Sequence, residues 1–311
     1  MATIKDTIYP RFQSVITKKE MERVYCPSDE ELSFARKNTR NQHQQLCLLI
    51  QIKCCQRLGF FTLISEVPCS VIKYIAKKVG LQAIPDQFLK SYDKSGAKQR
   101  HIKLVRSFLR ISAFDEEARI LVDKTTLKAA QTKTNIADII NVAIEMLIYK
   151  RYELPAFQTI SEISSRSRSK VNNEYYDIIG GSLSQSLIKK LSKLLIQSGT
   201  QSSKTDWDLI RQDSESPTIN NMKEMVARLK WLKRFSGGKE VFHDIPEKKI
   251  KQFTTEALAL DAARINSLKE AKKFALLISA VKTKKATSNI PKKAATFFAT
   301  LKPYTIGKVR Q

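Results

Sequence analysis

Between Lys90 and Arg110 the chain carries seven bases, Lys90, Lys94, Lys98, Arg100, Lys103, Arg106 and Arg110, against one acid, Asp93. Wound as a helix, Arg100, Lys103 and Arg106 fall on one face while Leu104, Val105, Phe108 and Leu109 turn inward. Charge on one side and packing on the other is what a helix needs to lie against phosphates. A merely solvated basic face is the plainer alternative. A second candidate is Ser164-Ser165-Arg166-Ser167-Arg168-Ser169-Lys170-Val171-Asn172-Asn173. A helix from about Ala156, a polar turn and a helix from about Ser169 have the length pattern of a helix-turn-helix. The second helix would present Arg168, Lys170, Asn172 and Asn173 near its start, with Arg166 in the turn. Arg and Asn pair two-pronged with guanine and adenine edges, so the chemistry suits base reading. The turn lacks the usual glycine, and an ordinary Ser/Arg-rich loop is the alternative. A third basic region, Arg264–Gln311, holds twelve bases and one acid, Glu270. Lys-rich tails of this kind bind phosphates without sequence preference.

Other chemistry is weakly signalled. His43, Cys47 and Cys54 could share a helix face, but a metal needs a fourth ligand at close spacing, and neither Cys55 nor Cys69 supplies an obvious one. Buried cysteines acting as small hydrophobes are the better reading, and no metal or other cofactor is expected. There is no G-x-x-x-x-G-K-[ST] and no G-x-G-x-x-G, so no phosphate-cradling loop is written in the sequence. The acids Asp29, Glu30 and Glu31 belong to a helix cap, and Asp115, Glu116 and Glu117 to a first helical turn. Asp206 and Asp208 flank Trp207 in a stretch that reads as a loop. The chain reads as non-enzymatic. Tyr74, Tyr92, Trp207 and Trp231 are scattered rather than arrayed as a platform for single strands.

The elements that must position these groups are helical. Gly and Pro together number 18 of 311 residues (9 and 9), too few for many short strands and turns. Ser28-Asp29-Glu30-Glu31 is a capping box, followed by a helix carrying Leu32, Phe34 and Ala35. Asn41–Leu58 follows, stopped by Gly59; Ser70–Val79 is closed by Gly80 as a C′ residue; a basic amphipathic helix spans about Ala97–Arg110. Ser112 with Asp115 repeats the capping signature, and Ile136, Ile139, Ile140, Ala143 and Leu147 mark a further core face. Helices are expected over Val171–Ile179 and Leu183–Ile196, then a Ser- and Asp-rich linker over about Ser198–Ser216. Ser216-Pro217 opens the next helix, which runs to Gly237-Gly238; Pro246 starts another, and Ala262–Val281 reads as one more. The expected architecture is all-α, in three successive helical bundles with helix-turn-helix-like DNA-binding units. The divisions are 1–111, 112–200, a linker at 201–216, 217–288, and a basic tail at 289–311 whose order the sequence leaves open.

Charge and apolar content exclude several classes. The chain has 55 Lys+Arg and 30 Asp+Glu, a net +25, with 42% hydrophobic residues, so it is a folded protein suited to anionic partners. Apolar runs such as Leu46–Ile50 and Phe274–Val281 fall far short of the roughly 20 residues of a membrane span, and no membrane partner is expected. Met1–Pro10 has no apolar stretch of the secretory type. Five cysteines without a paired C-x-x-C motif fit a reducing, cytosolic compartment, with the protein associated there with the nucleoid.

Several segments resemble the N-terminal region of Tn3-family transposases. They are Lys18-Lys19-Glu20, Ser28–Ala35, Arg40-Asn41, Gln51-Ile52-Lys53, Leu58-Gly59-Phe60-Phe61, Val67-Pro68 and Val71–Ala76. Arg100–Leu109, Leu154–Thr159 and Ala262–Ala286 continue the resemblance, which covers the chain to about Ser288. It implies a set of α-helical domains that bind double-stranded DNA and recognise the transposon's terminal inverted repeats. It also implies that the catalytic domain, RNase H-like with acidic metal ligands, lies further C-terminal in a much longer chain. No catalytic residue is carried over, and the expectation is an N-terminal part or remnant of a transposase. Two departures stand out: Gln42-His43-Gln44-Gln45 where the family often has a glycine, and no family pattern over Asn289–Gln311. The candidate DNA-binding residues are Lys98, Arg100, Lys103, Arg106, Arg110, Arg166, Arg168, Lys170, Asn172 and Asn173. An intact transposase or a second copy of the chain are further candidate partners. Non-specific nucleic-acid binding, or a non-catalytic scaffold that inhibits an intact transposase, are the alternatives.

Overall fold

The structure, a computed structural model, describes residues 2–81, 85–196, 205–212, 219–235 and 240–287. Among them are fifteen α-helices, three 3₁₀ turns and no sheet, the all-α class expected. The Ser216-Pro217 start, the Gly237-Gly238 stop, most of the expected linker and the tail at 289–311 lie outside the described residues.

Two compact units divide the chain. One contains residues up to Ala129 together with Asn135–Ser167, the other Ala130–Thr134 together with residues from Arg168 onward. The first unit holds α1 (Lys18–Val24), α2 (Asp29–Asn38), α3 (Gln42–Leu58), α4 (Cys69–Val79), α5 (Asp86–Asp93) and α6 (Gly96–Leu109). It continues through α7 (Glu116–Thr132) and α8 (Ile136–Tyr149) into α9 (Phe157–Gly181), within which the division falls. The second unit adds α10 (Gln185–Lys193), α11 (Asp206–Arg211), α12 (Ile219–Lys233), α13 (Glu247–Leu258), α14 (Ala262–Asn266) and α15 (Glu270–Thr287).

The first unit is built around α3. This helix is buried over most of its circumference, mainly through Leu, Ile and Cys, so it sits at the centre of a core rather than on a surface. Asn41 caps its start by accepting from the Gln44 amide, and Gly59 ends it in the left-handed conformation at φ 75°. A side chain at Gly59 would be strained there, and its Cβ would also stand 3.2 Å from Leu154. That close approach lets the Leu154 amide donate to the Gly59 carbonyl at 2.7 Å, which joins the α3 core to a second core of α7, α8 and the start of α9. Tyr9 reinforces the join by stacking on Phe60 and donating to the Pro155 carbonyl. At the α2 terminus the capping box forms as expected, with Glu31 accepting from the Ser28 amide. Glu31 also receives a buried ion pair from Lys53 at 3.1 Å and a hydrogen bond from Gln56 at 2.7 Å. Cys47, Cys54 and Cys55 are buried in this core, and burial pushes each thiol up to about 12, so they pack as small apolar groups.

Several expected elements change. At α7 it is Asp115 that caps, accepting from the Ala118 amide, while Ser112 spends its backbone on a bridge to the segment after α8. The stretch expected as one helix over Ala262–Val281 is two, α14 and α15, separated at Ser267–Lys269. The Ser/Asp-rich stretch read as a linker carries α11, whose capping box of Thr205 and Asp208 starts a helix that seats Trp207 in the second unit's core. The Trp207 indole donates to the Leu260 carbonyl at 2.9 Å. One apolar anchor outweighs polar neighbours there, because a buried Trp contributes more than the turn preference of Ser and Asp.

Candidate nucleic-acid interface

Helix α6 is held on three sides. Val105 is buried, and Phe108 stacks on Phe34 at 4.4 Å between ring centres. The buried His101 accepts or donates through Nδ1 with the Tyr92 hydroxyl at 2.8 Å, and burial lowers its pKa to about 4, so the ring is neutral. Asp93 accepts from the amides of Ile64 and Ser65 and faces Lys98 at 3.9 Å, so the acid that breaks the basic run is itself structural.

With α6 so fixed, Arg100, Lys103 and Arg110 are exposed at spacings of three and seven residues, along one side of the helix. Arg106, expected beside them, turns aside. Its guanidinium makes a two-pronged pair with Glu153 at 3.0 and 2.8 Å and lies over the Phe61 ring. The fork geometry of guanidinium and carboxylate favours this pair wherever an acid is within reach, and Glu153 is far away in sequence. Lys98, half-buried beside Asp93, is likewise engaged. The face expected from Arg100, Lys103 and Arg106 is therefore made of Arg100, Lys103 and Arg110.

The expected helix-turn-helix at 156–173 is absent. Phe157–Gly181 is one uninterrupted helix, so the polar turn at 164–169 does not form. Its Ser/Arg run still places Ile160, Ile163, Ser164, Ser167 and Val171 inward at helical spacing. Ser167 meets Thr126 at 2.8 Å, so small hydroxyls pack where a turn was expected. Arg166, in the first unit, is exposed. In the second unit Lys170 and Asn173 are exposed three residues apart, whereas Arg168 is half-buried. Asn172, expected at a base edge, is buried and accepts from Lys249 Nζ at 2.9 Å. Without the turn, residue 172 falls between Val171 and Tyr176 on the packed side of α9.

Sequence reasoning passed over Lys249, which is fully buried, with burial and then the charge of Arg168 lowering its ammonium to about 8. It also passed over Lys150 and Arg151, exposed where α8 ends. The readable signal for the latter was a basic pair following an apolar helix with no glycine to stop it. Among the described residues no three metal-ligating side chains cluster, and no helix is long and apolar enough to cross a membrane.

These features sit in a chain of recognisable ancestry. The chain belongs to the family of the domain of unknown function DUF4158, which matches residues 1–167, the stretch containing α1 to α8 and the first part of α9. Over most of its length it is a distant homologue of Tn3-family transposases. It is 25% identical over 275 residues to the transposase for transposon Tn501 of Pseudomonas aeruginosa, covering 87% of this chain and 27% of that protein. With the transposase for transposon Tn1546 of Enterococcus faecium it shares 21% identity over 208 residues, 66% of this chain and 21% of the relative. The chain thus matches about a quarter of the length of these curated relatives.

Proposed function

We propose that this protein binds double-stranded DNA and recognises the terminal inverted repeats of a transposon, with no catalytic step assigned to any of its residues. The carrying observation is the exposed cationic row of Arg100 and Lys103 on α6 and Arg110 at its C-cap, on a helix fixed by packing on its other faces. The transposase relatives and the net charge of +25 support the same partner. Helix α5, a two-residue connection and α6 offer a helix-turn-helix-like pair in which α6 would enter the major groove. Arg166, Lys170 and Asn173 on α9 are further contacts in this reading, with Asn173 the candidate for an adenine edge. Arg106, Lys98 and Asn172 would act by fixing the helices that carry the contacts, and Arg168 would contribute charge.

Fluorescence anisotropy with a duplex of the cognate inverted repeat and a shuffled duplex, across a salt series, tests this. Tighter binding to the repeat that persists as salt rises is the expected result. Equal, steeply salt-sensitive binding to both would leave only non-specific charge attraction, and no binding to either would refute DNA as the partner.

A further inference from the structure

Two residues other than glycine, among those described, hold their backbone in the left-handed region, and both are arginines. Arg110, at φ 53°, follows α6; Arg151, at φ 57°, follows α8. Glycine adopts this conformation freely, whereas an L side chain is strained in it, so a strained arginine at each of two helix ends needs a reason. Interaction with the helix dipole is not enough. Arg106 already supplies a cation to the last turn of α6, and Lys150 supplies one at the C-cap of α8, both with ordinary backbone.

The two arginines are also brought together. The Ser112 amide donates to the Arg151 carbonyl at 2.8 Å, and the Glu153 amide donates to the Ser112 carbonyl at 2.9 Å. Two residues plus one strand spacing keep the Arg110 and Arg151 Cα atoms within about 13 Å. The Glu153 carboxylate is spent on Arg106 and on the Phe114 amide. Neither Arg110 nor Arg151 has an ion-pair partner among the described residues. Glu117 and Asp115 are the nearby acids, adding to burial in raising the Tyr152 phenol, and Asp115 is already the cap of α7. At the tip of α8, Tyr149 is 78% exposed and Ile148 55%, with Lys150 Nζ 5.5 Å from the centre of the Tyr149 ring. A junction pinned by backbone bonds, carrying three cations and two apolar side chains into solvent, is built for an anionic surface with apolar sugar faces.

We propose that the junction after α6 and α8 is a docking site for the phosphate backbone of duplex DNA, with Arg110 and Arg151 as its phosphate contacts. The proposal rests on the DNA-binding reading above and extends it from the row that ends at Arg110 to a second element, the end of α8 with Arg151.

The test is salt-dependent duplex binding by the full chain, wild type against Arg110→Gly/Arg151→Gly, with thermal unfolding of both. Glycine relieves the backbone, so the unfolding midpoint is expected to stay or rise while affinity falls severalfold. The slope of log K against log salt should become shallower by about two, one contact for each arginine. The paired variant Arg110→Lys/Arg151→Lys keeps the charges and is expected to keep the wild-type slope. An unchanged affinity and slope in the glycine variant would overturn the proposal. So would an equal loss of slope in the lysine variant, since the loss would then not come from the charges removed. If wild type binds no duplex at all, the DNA reading itself has failed, whereas binding that ignores these substitutions removes only the junction.

Discussion

Replacing Lys249 by methionine should make the second unit more stable at neutral pH, although it deletes a hydrogen bond. Lys249 is 0% exposed, its Nζ donates to Asn172 Oδ1 at 2.9 Å, and no carboxylate pairs with it among the described residues. Burial first, and then the charge of Arg168, lower its pKa from 10.5 to about 8. The unfolded chain holds the proton up to 10.5 and the folded chain only to about 8, so between these values the unfolded state binds more protons. Stability therefore rises with pH across that window, and the full penalty of burying the ammonium is present below pH 8. Holding the ammonium's pKa at about 8 rather than 10.5 corresponds to about 3 kcal/mol. Against this, Lys249→Met strands the Asn172 oxygen, at a cost of about 1–3 kcal/mol that solvent at the rim of the core reduces. The net expectation is a gain of about 1–2 kcal/mol at pH 7, larger if Asn172→Leu is added, in line with buried charges replaced by apolar groups. Both tryptophans of the chain, Trp207 and Trp231, pack in the second unit, so urea melts followed by their fluorescence report that unit. The difference between variant and wild type should shrink by roughly 2 kcal/mol from pH 7 to pH 10, where wild-type Lys249 has lost its charge. A variant less stable than wild type at pH 7, or a gain that is the same at both pH values, would refute the reasoning.

Two further perturbations address the first unit. Buried His101 has a pKa near 4 against an ordinary 6.5, so protonation opposes folding, and stability should fall as pH drops from about 6.5 towards 4. The loss reaches about 3 kcal/mol at the lower end, and His101→Asn, which keeps an acceptor near Tyr92, should flatten the profile measured by circular dichroism. Glu31→Gln preserves a capping oxygen but leaves the Lys53 ammonium buried beside a neutral amide. Urea melts should show a loss of about 3–5 kcal/mol, partly restored by adding Lys53→Met.

The sequence was most readable where one local rule acted alone. The capping box at Ser28 and Glu31 and the stops at Gly59 and Gly80 need only near neighbours, and each forms where expected. Reading failed where a distant residue decided the outcome. The Ser/Arg run in α9 satisfies local turn preferences, but Thr126, forty-one positions away, gives Ser167 a partner inside a helix. Glu153 claims Arg106 across forty-seven positions, and Lys249 claims Asn172 across seventy-seven. Trp207 likewise draws a polar stretch into a helix because the core it fills is assembled from α13, α15 and their neighbours. In each case the residue type was judged correctly as basic, polar or apolar, and what escaped was which partner it would meet.

That distinction governs how the charge should be interpreted. With 55 bases and 30 acids, at least 25 cations lack a carboxylate of their own even if every acid forms one pair, so surplus charge is unavoidable. Composition says nothing of which cations make up the surplus. Lys53, Lys98 and Arg106 are spent on Glu31, Asp93 and Glu153 and fix their helices to neighbouring segments. Arg100, Lys103 and Arg110 stand on the opposite footing, exposed on a helix whose position those internal pairs secure. Salt distinguishes the two sets physically: a buried pair such as Lys53–Glu31 is barely screened, whereas an exposed row loses most of its reach beyond a Debye length of about 8 Å at physiological ionic strength. If the exposed row binds DNA as proposed, the protein should keep its fold and release the duplex over the same range of salt, because the cations that hold the helices and those left exposed are different residues.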